Sequence, residues 1–276
     1  MRRHPERNGK MNYGFIGLGN MGGAILSGMA SSGIFGEDGL YGYNRSPEKA
    51  RRLQESIGLV PCQSAAEVVK SSGVVVLSVK PQMMEAGMDE IAGLVKPSQT
   101  VITIAAGLPC AWYEAFLGGG VPVVRVMPNI CAKVHSAVTA ICAGKYAGEE
   151  QLTAAEKIFA TVGTTYRIDE SMFSAFSALG GASGAFIDLY IDALADAGVK
   201  AGFPRKFAVD IATDAVLGAA KLVKETGEHP MALCNQVCSP GGTTIEGVLT
   251  LKRLGFETAV QQATQAIIDK DKSLAK

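Results

Sequence analysis

MNYGFIGLGNMGGAILSGMASSG, Met11 to Gly33, divides into three parts. Tyr13 to Ile16 is a short apolar run of strand character, Gly17-Leu18-Gly19-Asn20-Met21-Gly22 matches G-x-G-x-x-G, and Ala24 to Ala30 continues with helical character. Each glycine meets a separate demand of a dinucleotide-binding turn. Gly17 permits the tight reversal, Gly19 lets a pyrophosphate approach the backbone, and Gly22 lets helix and strand pack closely. The phosphates would rest at the helix N-terminus, with Ile16, Asn20 and Met21 beside the glycines. A glycine-rich turn of another α/β protein is the competing explanation, and the order strand, turn, helix weighs against it.

The next segments extend the pattern. Leu40 to Tyr43 reads as a second strand, after which an NAD-binding chain carries an Asp or Glu for the ribose 2′-hydroxyl. Here Asn44-Arg45-Ser46 follows. A guanidinium and a hydroxyl suit a 2′-phosphate, which a carboxylate would repel. NADPH is therefore expected, with NADH as the alternative donor. The same residues also fit a solvated arginine ahead of a helix that Ser46 caps and Pro47 begins.

GVVVLSVKPQ (Gly73 to Gln82), TVITIAAGLP (Thr100 to Pro109) and VPVVRVMPN (Val121 to Asn129) are apolar, β-branched runs closed by Gly, Pro or polar residues. They read as buried parallel strands, with helices such as Pro47 to Ile57 and Met83 to Val95 between them. The expected fold is α/β, a Rossmann-type doubly wound sheet. Ligands bind at the carboxyl ends of such strands. That places Val79-Lys80-Pro81, Ala105-Ala106-Gly107 and Asn129 around the cofactor crevice, where small residues let a nicotinamide lie flat. Lys80 reads equally as a cofactor contact or as an ordinary exposed lysine. Ser136 to Cys142 and Thr164 to Ile168 read as added strands.

After Asp169 the pattern is helical only. Phe173 to Ala182, Ala185 to Gly198, Pro204 to Gly227 and Thr243 onward show apolar spacings of three and four. The division expected is residues 11–168 for a cofactor domain and 169–276 for an all-α domain. Its helices are apolar around most of their circumference, and so few cannot bury one another, so a homodimer is expected. Within it, Ser239-Pro240-Gly241-Gly242-Thr243-Thr244 stops one helix and begins another with exposed amides and hydroxyls. The corner is either a plain capped turn or an anion site. In the second case a substrate carboxylate is held by the amides of Gly242 to Thr244 and the Ser239 hydroxyl.

The bulk numbers exclude other classes. The 276-residue chain has a formal net charge of +0 and a pI near 6.8, which offers no basic field for nucleic acid or an anionic membrane. Apolar residues reach 47% and mean hydropathy +0.19. Gly and Pro interrupt the apolar runs before membrane-spanning length, so a soluble protein is expected. MRRHPERNGK, residues 1–10, lacks the apolar core of a secretory signal and reads as a disordered tail or added residues ahead of Met11. A reduced, cytoplasmic protein is expected. Among six cysteines, Cys62, Cys110, Cys131 and Cys142 stand alone in sequence, and Cys234 with Cys238 lacks a third ligand nearby. No metal is expected.

The chain resembles the Δ1-pyrroline-5-carboxylate reductase family. The resemblance runs from Tyr13 to the C-terminus through GFIGLGNMGGAI, SVKP, IAAG, RVMPN, DALADAGVKAGFPR (Asp192 to Arg205), His229-Pro230, Pro240 to Val248 and Leu254-Gly255-Phe256. It implies NADPH-dependent reduction of a cyclic imine carboxylate to L-proline, active sites completed between the subunits of a homodimer, and, in some members, rings of dimers. Two segments depart from the family pattern: Gly180 to Phe186 reads GGASGAF where many members have SGSGPAY, and Ile130-Cys131 replaces Thr-Pro. On this resemblance the Thr244 hydroxyl bonds the ring nitrogen, while Ser239 and the Gly242 and Thr243 amides orient the carboxylate. Hydride reduction of a protonated imine needs no strong protein acid, which suits a chain whose His135 and His229 read as surface or cap residues. GFIGLGNMGG also resembles the β-hydroxyacid dehydrogenases, although Lys200 and Lys221 lie outside that family's glycine-rich lysine motif. A non-catalytic NADP-binding relative is the remaining alternative.

Overall fold

The computed structural model describes residues 11–36 and 38–274; the expected N-terminal tail lies outside them. The chain divides into two compact units, one running through Gly181 and including the end of the last helix from Asp269, the other Ala182–Ile268.

The first unit is built on a sheet of eight strands among the described residues: β1 (Tyr13–Ile16), β2 (Leu40–Tyr43), β3 (Val60–Pro61), β4 (Val74–Leu77), β5 (Thr100–Thr103), β6 (Val123–Met127), β7 (Ala137–Ala143) and β8 (Gly163–Arg167). Their order is β3-β2-β1-β4-β5-β6-β7-β8, whose first six places are those of a doubly wound dinucleotide fold. β1 to β6 are mutually parallel, but β7 runs antiparallel to β6 and β8 is parallel to β7. The helices are α1 (Asn20–Ser32), α2 (Pro47–Ile57), α3 (Ala65–Ser71), α4 (Met84–Ile91), α5 (Cys110–Leu117), α6 (Glu149–Phe159) and the short α7 (Phe173–Phe176). β3 and α3 were not anticipated, since β3 is two residues long and one of them is proline.

Both faces of the sheet are covered. Phe15, Val74 and Val76 belong to one apolar cluster with Ile25, Leu26 and Phe159. Ile16, Val75 and Leu77 belong to the other with Val68, Met88 and Tyr113. This is why β1, β4 and β5 read as unbroken apolar runs rather than alternating ones. The change of pattern at residue 169 and the division of contacts after Gly181 do not coincide. Glu170 binds Arg125 of β6, and the buried Phe173 belongs to the second cluster, so the first helical residues are part of the sheet unit.

The second unit holds α8 (Ser183–Lys200), α9 (Arg205–Thr226), α10 (Pro230–Gln236), α11 (Thr243–Arg253) and most of α12 (Phe256–Leu274). Its own core is thin. Ala195, Ala208 and Ala212 are the buried hydrophobics of α8 and α9. A Cβ on Gly198 would meet the Ala208 Cβ at 3.0 Å, so the pair packs through small residues. The large apolar side chains lie outside this seam: Leu189 is 70% exposed, Leu217 64% and Leu254 75%.

The expectation that no apolar run reaches membrane length is corrected here. Phe173–Phe176, a π-helical turn over Ser177–Ala182 and α8 join without a break, and Glu170–Lys200 is long and apolar enough to cross a membrane by length and composition. Asp188, Asp192 and Asp196 nevertheless recur every four residues along α8, a row of carboxylates costly in lipid.

Candidate active site

The predicted cofactor residues sit at the carboxyl ends of β1, β2, β4, β5 and β6, beside the topological switch between β1 and β4. Gly17 has φ +99°, and its amide donates to the Tyr43 carbonyl at 2.8 Å. A Cβ on Gly19 would meet nothing within 4 Å, whereas one on Gly22 would lie 2.6 Å from the Gly17 carbonyl oxygen and 2.9 Å from Ser78 Oγ. The turn is thus open at Gly19 and closed at Gly22, as the motif requires. Asn20, Met21 and Gly22 form the first turn of α1, which has no side-chain cap and no acidic residue. Its amides and helix dipole therefore remain available to an anion.

Two side chains fix this turn. Asn44 Oδ1 accepts from the Leu18 amide at 2.9 Å, and Asn44 Nδ2 donates to the Ser46 carbonyl at 3.1 Å. Ser78 Oγ donates to the Gly17 carbonyl at 2.5 Å. Asn44 therefore shapes the glycine turn, a role not read from the sequence, and Ser78 was missed altogether. Ser46 occupies the N-cap position of α2 without making the cap bond; its hydroxyl donates to Glu48 Oε2 at 2.6 Å instead. Arg45 is exposed and lines a cavity of about 420 Å³ with Tyr43, Asn44, Arg51, Gln54 and Gln63. Arg51, on α2, is a second cation there that sequence reasoning overlooked; its place in the fifth position of the helix that follows Arg45 was the available signal. Among the described residues no carboxylate lines this cavity, so it fits a 2′-phosphate.

Val79 and the exposed Lys80 follow β4, with Pro81 opening a 3₁₀ turn. Ala105 is buried, Ala106 exposed, and Gly107 has φ +84°. Asn129 has partners within the protein. Its Nδ2 donates to the Gly180 carbonyl at 2.7 Å and its Oδ1 accepts from the Val138 amide at 3.3 Å. Asn129 ties the end of β6 to β7 and to the π-helical turn, so its amide group serves the protein's own backbone.

In the second unit, the Gly242 amide donates to the Ser239 carbonyl at 3.0 Å, and Gly241 has φ +67°. With proline second and a left-handed glycine third, Ser239 to Gly242 has the pattern of a type II turn. A Cβ on Gly242 would collide with Ser239 Oγ. This corrects one expectation, because the Gly242 N–H already has a partner in the turn. Gly242 is the N-cap of α11 and no side chain caps that helix. Thr243 and Thr244 are exposed at its first turn, so the amides that remain for an anion are theirs. Cap duty for His229 is observed, its Nδ1 accepting from the Met231 amide at 3.2 Å.

Comparison with known proteins bears on both units. Residues 170–274 match the family model described as pyrroline-5-carboxylate reductase dimerisation, and residues 12–107 match the one described as NADP oxidoreductase coenzyme F420-dependent. Pyrroline-5-carboxylate reductase of Methanosarcina acetivorans is 39% identical over 263 residues, 95% of this chain and 97% of that one. The solved structure of a pyrroline-5-carboxylate reductase from Coxiella burnetii covers 97% of this chain and 100% of its own, with 29% identity and a TM-score of 0.92. Pyrroline carboxylate reductase of Plasmodium falciparum, solved with NADP bound, covers 97% of this chain and 100% of its own at 27% identity and a TM-score of 0.85. With an open glycine turn, a two-arginine cavity and a threonine-led helix all lying inside these matches, the chain belongs to the pyrroline-5-carboxylate reductase family.

Proposed function

We infer that this protein reduces 1-pyrroline-5-carboxylate to L-proline with NAD(P)H, the last step of proline biosynthesis. The observation that carries the reading is family membership across both the glycine turn and the Ser239 to Thr244 corner. The cofactor supplies the hydride when bound. The protein's part is to hold it: the α1 N-terminus and the Gly19 backbone take the pyrophosphate, and Arg45, Ser46 and Arg51 take the 2′-phosphate, favouring NADPH over NADH. Ile16, Val79, Lys80, Pro81, Ala105, Ala106 and Gly107 line the remainder of the crevice.

The substrate's carboxylate is oriented by the Ser239 hydroxyl and the Thr243 and Thr244 amides, and the Thr244 hydroxyl bonds the ring nitrogen. A cyclic imine takes its proton far more readily than a carbonyl does, so alignment and a hydroxyl partner suffice without a strong protein acid. Residues 11–168 hold the cofactor and 169–276 supply the substrate corner and the subunit contact. The exposed leucines of the helical unit support a homodimer, since a patch of that kind needs a partner. The six cysteine thiols support a reduced, cytoplasmic setting.

The test is consumption of NADPH absorbance with pyrroline-5-carboxylate, repeated with NADH, with a six-membered cyclic imine acid and with a 3-hydroxy acid. Thr244→Ala lowers kcat by about ten- to a thousandfold, reaching at its upper end the loss that follows removal of one preorganised donor, and Thr244→Val does the same at similar shape. An unchanged kcat in both removes Thr244 from the mechanism.

A further inference from the structure

Cys110 and Cys142, far apart in sequence, come together beneath the sheet's carboxyl edge. The register pairs Thr103 of β5 with Arg125 of β6, and Arg125 with Cys142 of β7, which puts the three side chains in one row on one face. Cys110 reaches that row from the start of α5. Glu170 reaches it from the 3₁₀ turn Glu170–Met172. The two sulfurs and a Glu170 carboxylate oxygen all lie within 4.8 Å of one another. Both cysteines are buried, yet Cys142 and Glu170 also line an open cavity of about 590 Å³ with Asp169, Arg167 and Met172.

We propose that Cys110, Cys142 and Glu170 form a site for one thiophilic divalent cation, with Zn²⁺ as the natural occupant and a water from the cavity as fourth ligand. Thiolate sulfur and carboxylate oxygen are both donors this ion takes, and three protein ligands with an open fourth position is the arrangement of its water-bearing sites. At Zn–S of about 2.3 Å and Zn–O of about 2.0–2.2 Å a tetrahedron spaces its donors roughly 3.5–3.8 Å apart, so no pair in the triad has to close by more than about 1.3 Å.

The carboxylate is already oriented as a ligand's would be. Glu170 Oε1 accepts from the Cys110 amide at 2.8 Å and from Arg125 Nη1 at 3.0 Å, outer bonds of the kind that hold metal-binding carboxylates in place. Arg125, whose guanidinium lies 4.4 Å from the Phe173 ring centroid, does not oppose the ion by net charge. The metal-free cluster is neutral, with Glu170 against Arg125 and two thiols. The divalent ion displaces two protons, and two thiolates, one carboxylate, Arg125 and the ion again sum to zero. A buried site with no net charge avoids the cost of an uncompensated ion.

Cys234 and Cys238 lie close enough for their thiols to interact, so the test uses the Cys234→Ser, Cys238→Ser protein, reduced and freed of metal with a chelator. Titration with Zn²⁺ is expected to load one ion per chain. Adding Cys142→Ala removes the uptake, and Glu170→Gln weakens it by about tenfold or more. X-ray absorption of the Zn-loaded Cys234→Ser, Cys238→Ser protein, which needs no change at the site, is expected to show two sulfurs at about 2.3 Å and oxygen at about 2.0–2.2 Å. No uptake, uptake that survives Cys142→Ala, or a shell of nitrogen and oxygen alone overturns the proposal.

Discussion

The glycine turn predicts that two substitutions of the same kind will fail in different ways. At Gly22 an added Cβ stands 2.6 Å from the Gly17 carbonyl oxygen, where ordinary contact begins at 3.4 Å. The α1 N-terminus must then shift by about 0.8 Å, and crowding of this kind costs about 1–3 kcal/mol. Exchanging glycine for alanine inside a helix returns about 1 kcal/mol, so Gly22→Ala is destabilised by up to about 2 kcal/mol. It also misplaces the amides that face the phosphates. At Gly19 the added Cβ meets nothing within 4 Å, and φ is −74°, which any residue adopts. Its cost to stability is therefore under about 1 kcal/mol, the price of alanine at an N-cap. The methyl nonetheless occupies the path by which a pyrophosphate reaches the backbone. Loss of one hydrogen bond to a charged group, about 1.5–3 kcal/mol, raises Kd for NADPH roughly ten- to a hundredfold. The assay is NADPH titration by calorimetry beside thermal melts without cofactor. Gly22→Ala should lose both Tm and affinity, and Gly19→Ala affinity alone. If Gly19→Ala binds NADPH as tightly as the parent, the pyrophosphate is not held at this turn and the cradle has been misplaced.

Arg45→Ala and Arg51→Ala should each raise KM for NADPH about tenfold while leaving KM for NADH in place, because only the 2′-phosphate is lost as a partner; equal effects on both cofactors would contradict the assignment. Asn129→Ala should lower stability by about 1–3 kcal/mol through the unpaired Gly180 carbonyl and Val138 amide, read by chemical denaturation. Asn129→Asp should recover part of that, since an acceptor for Val138 remains, and an unchanged stability in both would show that these two bonds do not hold the turn. Arg167 donates to Glu156 at 2.6 Å and to Glu149 at 2.7 Å, and these bonds lower the pKa of both carboxyls. A depressed carboxyl pKa stabilises the fold above the unfolded value, and the contribution disappears as pH falls through the folded one. Arg167→Met should therefore be less stable than the parent at neutral pH and converge with it below the ordinary carboxylate range; a gap that persists in acid would assign the effect to packing.

What the sequence disclosed and what it withheld follow from the distance over which each constraint acts. Gly17, Gly19 and Gly22 were legible because a positive φ, an open approach and a close approach are requirements on single residues within one turn. Pro240 and Gly241 were legible for the same reason, as second and third residues of a reversal. The direction of β7 was not, since its apolar pattern is the same whichever way it runs, and only the connection through Ile130–Val134 sets it antiparallel to β6. Asn44 and Asn129 were read as cofactor contacts because they stand at strand ends, yet at such ends the backbone leaves the ladder, and its unpaired amides and carbonyls need partners too. An asparagine, with a donor and an acceptor on one short side chain, meets that need at both places: on Leu18 and Ser46 in one case, on Val138 and Gly180 in the other. Cys110, Cys142 and Glu170 lay furthest out of reach, because their meeting depends on the register of β6 against β7 and on a turn some sixty residues from Cys110. A spacing rule for metal ligands searches for neighbours in the chain, whereas this cluster joins one strand residue, one helix start and one turn that only the fold brings together.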